Sequence, residues 1–304
     1  MRLCLPGFLA AALVFPQAPP APDPELFLCD LSFAGGRAVI GKPRNISNNP
    51  GYDNQPFFTA DGSAVLFTSV RGGRKPEVIK GAATGSDIYR YDIPTGTLKQ
   101  LTDTLESEYS PTVTPDGRHF STVRVEVDGT QRLWRFAIDG GEPTLLLPDV
   151  KPVGYHAWGG TDLVALFVLG DPPTLQLADV TSGRALTLGR NIGRSLQRIP
   201  GGGLSFIQRQ IGERGELRLH VMELDPAKRT SSRLVDLPAG VTEADLAWTP
   251  DGRMLMAHDG ALQSWRRGER EMSRVADLAA AGLRGVTRLA VSPRGGRVVF
   301  AAQP

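Results

Sequence analysis

One tight-turn signature recurs along the chain: FTADGSAVLFTS from Phe58, VTPDGRHFSTV from Val113, WTPDGRMLMA from Trp248 and VSPRGGRVVFA from Val291. In TPDG, proline presets φ for the second turn position and aspartate can bond nearby backbone. Glycine then takes the left-handed conformation that closes a hairpin. The flanking runs alternate or are continuously apolar, as strands do. A second element follows each hairpin: SDIYRYDIPTGTLKQLT from Ser86, QRLWRFAIDGGEPTLLL from Gln131, PTLQLADVTSGRALTL from Pro173 and LRLHVMELDPAKRTSSRLV from Leu217. Each reads as strand, turn, strand. The repeating unit is therefore a four-stranded antiparallel meander of roughly 40 to 55 residues, the length of a propeller blade.

Laid along the chain, the copies span 53–102, 108–149, 153–189, 194–237 and 243–277. The third has lost the turn motif and keeps only AWGGTDLVALF; the fourth has IPGGGLSF at the turn. What remains is VTRLAVSPRGGRVVFAA at the C-terminal end and LFLCDLSFAGGRAVIGKPRNIS near the N-terminal end. The first is the front half of a blade and the second a back half. Joined, they complete a sixth blade and remove the open edges that a linear array would present. The predicted fold is all-β: one six-bladed antiparallel β-propeller domain over 22–304, its ring closed by the terminal half-blades.

These repeats resemble the WD40-like (PD40) propeller repeats of the TolB family over nearly all of 22–304, most closely in the first two blades. The resemblance implies a propeller. It leaves function open, because similar repeats serve periplasmic binding proteins, the propellers of serine oligopeptidases, and lyases. TolB carries an additional N-terminal domain, for which the stretch before Leu26 has no room. The oligopeptidases carry a hydrolase domain with a GxSxG nucleophile turn, and no such sequence occurs here.

Composition narrows the function classes. The 304 residues are 41% hydrophobic, with 34 basic against 32 acidic side chains. A formal net charge of +2 gives no field suited to nucleic acid. The start, MRLCLPGFLAAALVFPQAPPAPDPE, has Arg2, an apolar run from Leu3 to Phe15, then small residues and prolines. That is the layout of a secretory signal peptide, assigned to 1–21, and the run is too short to span a bilayer comfortably. The mature chain is thus expected in the periplasm or outside the cell, without a membrane span, as a monomer. Proline follows both Ala18 and Ala21, which disfavours cleavage there and keeps an uncleaved anchor as an alternative. Removing the signal takes Cys4 with it and leaves Cys29 alone, in LFLCDL, as a small buried apolar side chain.

Enzyme signatures are weak. His119, His156, His220 and His258 fall on different blades without metal-ligand spacing, and only His156, in GYHAWGG, begins an innermost strand. GRAVIGKP satisfies GxxxxGK but puts Pro43 where a phosphate loop needs serine or threonine, on a hairpin. No metal or cofactor is expected. The informative positions are the starts of the innermost strands, where a propeller meets ligands. They carry Asn54 and Gln55, Tyr109, Tyr155 and His156, Arg194, and Arg288, with Asp53, Glu108, Ser110, Ser195, Glu243, Asp245 and Thr287 beside them. The long second loop of blade one, RGGRKPEVIKGAATGSD, adds Arg71, Arg74, Lys75 and Lys80 and should emerge on the same face. This polar ring suits an envelope protein, a peptide or a small polar ligand. The expected function is an exported, non-catalytic binding module of the bacterial cell envelope; the alternative is a lyase or hydrolase acting on carbohydrate or peptide at the channel mouth.

Overall fold

A computed structural model describes residues 23–71 and 85–304. The leader and Arg74, Lys75 and Lys80 of the basic loop lie outside them. Among the described residues every regular element is a strand. The strands form six antiparallel sheets, one per blade. Blade one runs outward from the axis as Asp53–Phe58, Ala64–Ser69, Asp87–Asp92 and Leu98–Gln100. The innermost strands of the next four blades are Ser107–Val113, Val153–Trp158, Ile192–Arg198 and Leu246–Trp248.

Blade six is built from both ends of the chain. Its order is Arg284–Val291, Arg297–Gln303, Glu25–Ala34 and Arg37–Ile40, with Arg44–Asn45 also pairing the third strand. The closing ladder pairs Glu25 with Ala302, Phe27 with Phe300 and Asp30 with Arg297. Consecutive innermost strands then neighbour one another all the way round, the sixth returning to the first.

The core is divided among six hydrophobic clusters, one at each junction between neighbouring blades. That division explains the unbroken apolar runs of the second strands. In Ala64–Ser69 all six residues are buried. Val65 and Phe67 pack toward blade six, while Leu66 packs toward blade two. In blade six, Val298 and Phe300 face blade five, and Val299 and Ala301 face blade one. A strand sandwiched on both faces has no polar side to alternate with. Cys29 belongs to the cluster between blades five and six, 2% exposed, and burial pushes its thiol up to about 12.

The recurring turn forms as its residues dictate. Gly62, Gly117, Gly252 and Gly295 all have positive φ near +70° to +79°, and each donates its N–H to the carbonyl of the threonine or serine three residues earlier. Asp61 Oδ1 receives Thr59 Oγ1–H at 2.6 Å and Ser63 N–H at 3.0 Å. These bonds favour the carboxylate and hold its pKa down to about 2.

A second device also repeats, one that sequence reading passed over. Trp158, last in its innermost strand, donates Nε1–H to Ser121 Oγ of the preceding blade at 2.9 Å. Trp248 does the same to Ser205, also at 2.9 Å. Buried indole donors need an acceptor, and here the acceptor also fastens one blade to the next.

Candidate functional site

The six innermost strands enclose an axial chamber of about 540 Å³. Its lining runs from the strand starts, at Gln55, Ser110, Tyr155, Arg194, Asp245 and Arg288, to the hairpin turns, at Ala60, Pro115, Pro200, Pro250 and Pro293. The residues at the turn end are exposed, and those at the strand-start end are buried or half-buried. The strand-start end is therefore the more closed of the two. Between the two ends lie Phe57, Trp158 and Trp248.

Arg288 crosses that end. It leaves blade six and reaches Tyr155 of blade three, the diametrically opposite blade, donating Nη2–H to the phenol oxygen at 3.1 Å. Its guanidinium carbon sits 5.1 Å from the centroid of the same ring. Nη1 meets Asp245 Oδ2 of blade five at 2.8 Å. The Tyr155 ring is steadied edge-on by Phe167, with centroids 5.8 Å apart. Burial pushes the Asp245 carboxyl up and the Arg288 charge pulls it back. Tyr52 joins this group: burial raises its phenol, against the charges of Arg288 and Arg194, with Tyr155 and Tyr109 also close enough to act on it. Sequence reading missed Tyr52 because it sits in a connection, one residue before its innermost strand begins. Its signal was a third tyrosine at a blade junction, beside Tyr109 and Tyr155.

The other predicted positions divide. Arg194 lines the closed end, its Nε 3.2 Å from Glu243 Oε1. Asn54 is buried, and its side-chain oxygen receives the Gln55 N–H at 2.7 Å. Gln55 Oε1 receives Thr68 Oγ1–H at 2.7 Å and the Ser110 N–H of blade two at 2.8 Å, so it clasps two blades while lining the chamber. Gln55 and Ser110 are both left-handed, with φ of 58° and 54°, and each precedes a proline. Side chains other than glycine seldom adopt that region.

His156 is among the residues lining the chamber, and its ring reaches blade two, 5% exposed. Its Nε2 lies 2.7 Å from Ser121 Oγ, while its buried Nδ1 has no hydrogen-bond partner. Desolvation lowers its pKa to about 3. Arg71 is engaged at the base of its loop: Nη2 meets Asp53 Oδ1 at 3.0 Å, Nε meets Ser69 Oγ at 2.7 Å, and the guanidinium lies 4.9 Å from the Tyr89 centroid. Blade two repeats that arrangement with Glu108, Arg124 and Trp134. Among the described residues no three His, Cys, Asp or Glu side chains group as metal ligands, and no helix is long and apolar enough to cross a membrane.

Six antiparallel blades around an axial chamber, five of four strands and one with an added fifth, define a six-bladed β-propeller. Solved propellers match it. TolB from Acinetobacter baumannii superposes with a TM-score of 0.53 at 20% identity, over 73% of this chain and 55% of that one. A TolB candidate from Agrobacterium tumefaciens gives 0.66 at 14% identity, over 92% and 98%. An oligogalacturonate lyase in complex with manganese gives 0.58 at 15% identity, over 86% and 80%. The chain thus spans about half the length of the Acinetobacter TolB, and at these identities the likeness is one of fold. No protein-family model and no curated protein matches the sequence.

Proposed function

We propose that this chain is an exported, non-catalytic binding module of the bacterial cell envelope, and that its ligand is held in the axial chamber. The observation that carries this reading is the chamber itself: about 540 Å³, lined by aromatic and apolar side chains together with polar and charged ones, Arg288, Arg194 and Asp245 among them. Ligand sites have that size and that distribution of polarity. The left-handed Gln55 and Ser110 add support, because both line the chamber and backbone strain persists where function requires a set geometry. The leader read in residues 1–21 supports export.

The test is retention. The mature chain is incubated with a bacterial envelope extract and recovered, and its bound small molecules and peptides are identified by mass spectrometry. Gln197→Trp, which fills the chamber from a partly exposed wall position, serves as the control. Compounds held by the native chain and lost from Gln197→Trp support the reading; identical retention by both overturns it.

The lyase or hydrolase reading draws on the convergence of Arg288, Arg194, Tyr155 and Tyr52 at the closed end. A phenol beside a guanidinium is an arrangement that proton transfer uses. Against it, Arg288 is committed to Asp245, and His156 Nε2 is engaged by Ser121. Turnover of a captured compound, abolished by Tyr155→Phe, would establish this second reading.

A further inference from the structure

We propose that the closed end of the chamber is a carboxylate-recognition subsite, in which Arg288 and Arg194 hold the acid group of a small ligand; this deepens the chamber reading and rests on it. Neither guanidinium has its donors fully matched by charged partners. Arg288 Nη1 has an ionised type of partner in Asp245, at 2.8 Å. Its Nη2 has only the neutral phenol of Tyr155, at 3.1 Å. Hydrogen bonds from a guanidinium to a carboxylate are shorter and roughly twice as strong as those between neutral groups. A ligand carboxylate reaching this end therefore displaces the Tyr155 oxygen from Nη2, and the Tyr155 ring remains beneath the guanidinium.

Arg194 has a larger deficit. Its Nε is buried and makes no hydrogen bond, since the nearby Glu243 oxygen at 3.2 Å is not aligned with the N–H. Glu243 is 51% exposed, so water screens that pairing. From blade two, Ser110 Oγ lines the same chamber and is likewise buried without a partner. A carboxylate offers about four lone-pair sites and no donor, which complements two guanidinium edges and a hydroxyl. The chamber volume limits the occupant to a small carboxylic acid rather than a folded partner.

The test uses the mature chain and a panel of small mono- and dicarboxylic acids, each paired with its uncharged amide. Trp158 and Trp248 line the chamber, so their fluorescence reports occupancy. Binding of at least one acid about tenfold more tightly than its amide is expected, with a loss of about tenfold or more in Arg194→Gln and in Arg288→Gln. Arg288→Lys, which keeps a charge opposite Asp245, separates lost recognition from lost folding, and is expected to fold and bind weakly. Arg267→Gln, which removes an exposed ion pair with Glu223, should bind as the native chain does. If amides bind as well as acids, or the arginine variants keep full affinity, the carboxylate assignment fails while the chamber reading stands. If no acid and no amide binds, and Gln197→Trp changes no retained compound, both fail.

Discussion

His156 offers a measurement whose size follows from its surroundings. The ring is buried between blades two and three, its Nε2 against Ser121 and its Nδ1 without a partner, and desolvation is the one cause acting on its pKa. No nearby carboxylate compensates a proton placed there. The folded chain therefore keeps the ring neutral down to about pH 3, whereas the unfolded chain protonates it below the ordinary value of 6.5. Between those values the unfolded state binds more protons, so this residue's contribution to stability falls as pH falls from 6.5 toward 3. At pH 5, about 1.5 pH units below the unfolded value and at ~1.36 kcal/mol per unit, the cost relative to pH 7 is about 2 kcal/mol. His156→Gln removes the titration and retains a polar group for Ser121. Urea titrations of both proteins at pH 7 and pH 5 isolate the effect, since every other ionisable group cancels in the comparison. The native chain should lose about 2 kcal/mol more than His156→Gln over that interval. Parallel losses, differing by less than about 0.5 kcal/mol, would show that the buried ring accepts a proton and would refute the reasoning.

Further outcomes can be checked. Truncation after Pro293 removes the strand that pairs with Glu25–Asp30, and size-exclusion chromatography should then find no soluble monomer. Gly117→Ala places its Cβ in open space at φ +68° and should cost only about 1 to 2 kcal/mol of left-handed strain. Gly140→Ala would put its Cβ 1.9 Å from the Leu101 carbonyl oxygen, so its thermal denaturation midpoint should fall clearly further than that of Gly117→Ala. Arg124→Met removes an ion pair at the fully buried Glu108 and should cost clearly more by denaturant titration than Arg267→Met, which removes an exposed pair and should cost under about 1 kcal/mol. Fused to a reporter enzyme that is active only after export, residues 1–30 should give activity outside the cytoplasm, and cytoplasmic retention would remove the case for an envelope protein.

The blades were legible because their signals are local. A turn of Thr, Pro, Asp and Gly fixes one hairpin wherever it stands, and each recurrence fixes the next blade. Even blade three, without the motif, forms its four strands from Val153 to Arg190. The half-blades at the two ends were legible as remainders of the same count. The closed end of the chamber was legible only as a list of polar strand starts. Its central contact joins Arg288 to Tyr155, residues 133 apart in sequence, and no local pattern sets which side chain crosses the axis. Gln55 and Arg71 show the complementary difficulty. Both stand where a ligand residue could stand, yet Gln55 ties Thr68 to Ser110 and Arg71 ties Asp53 to Ser69.

The ladder between Glu25 and Ala302 sets an order of events in the life of the chain. The strand Glu25–Ala34 is synthesised before its partner Arg297–Gln303, with the other five blades made in between. Until that partner arrives, the early strand has only its short outer neighbours, and its other side is an unpaired backbone edge able to recruit a strand from another nascent chain. Closing so large a loop carries an entropic cost before any contact repays it, which slows folding. The ring therefore cannot close until Arg297–Gln303 has been made, long after Glu25–Ala34.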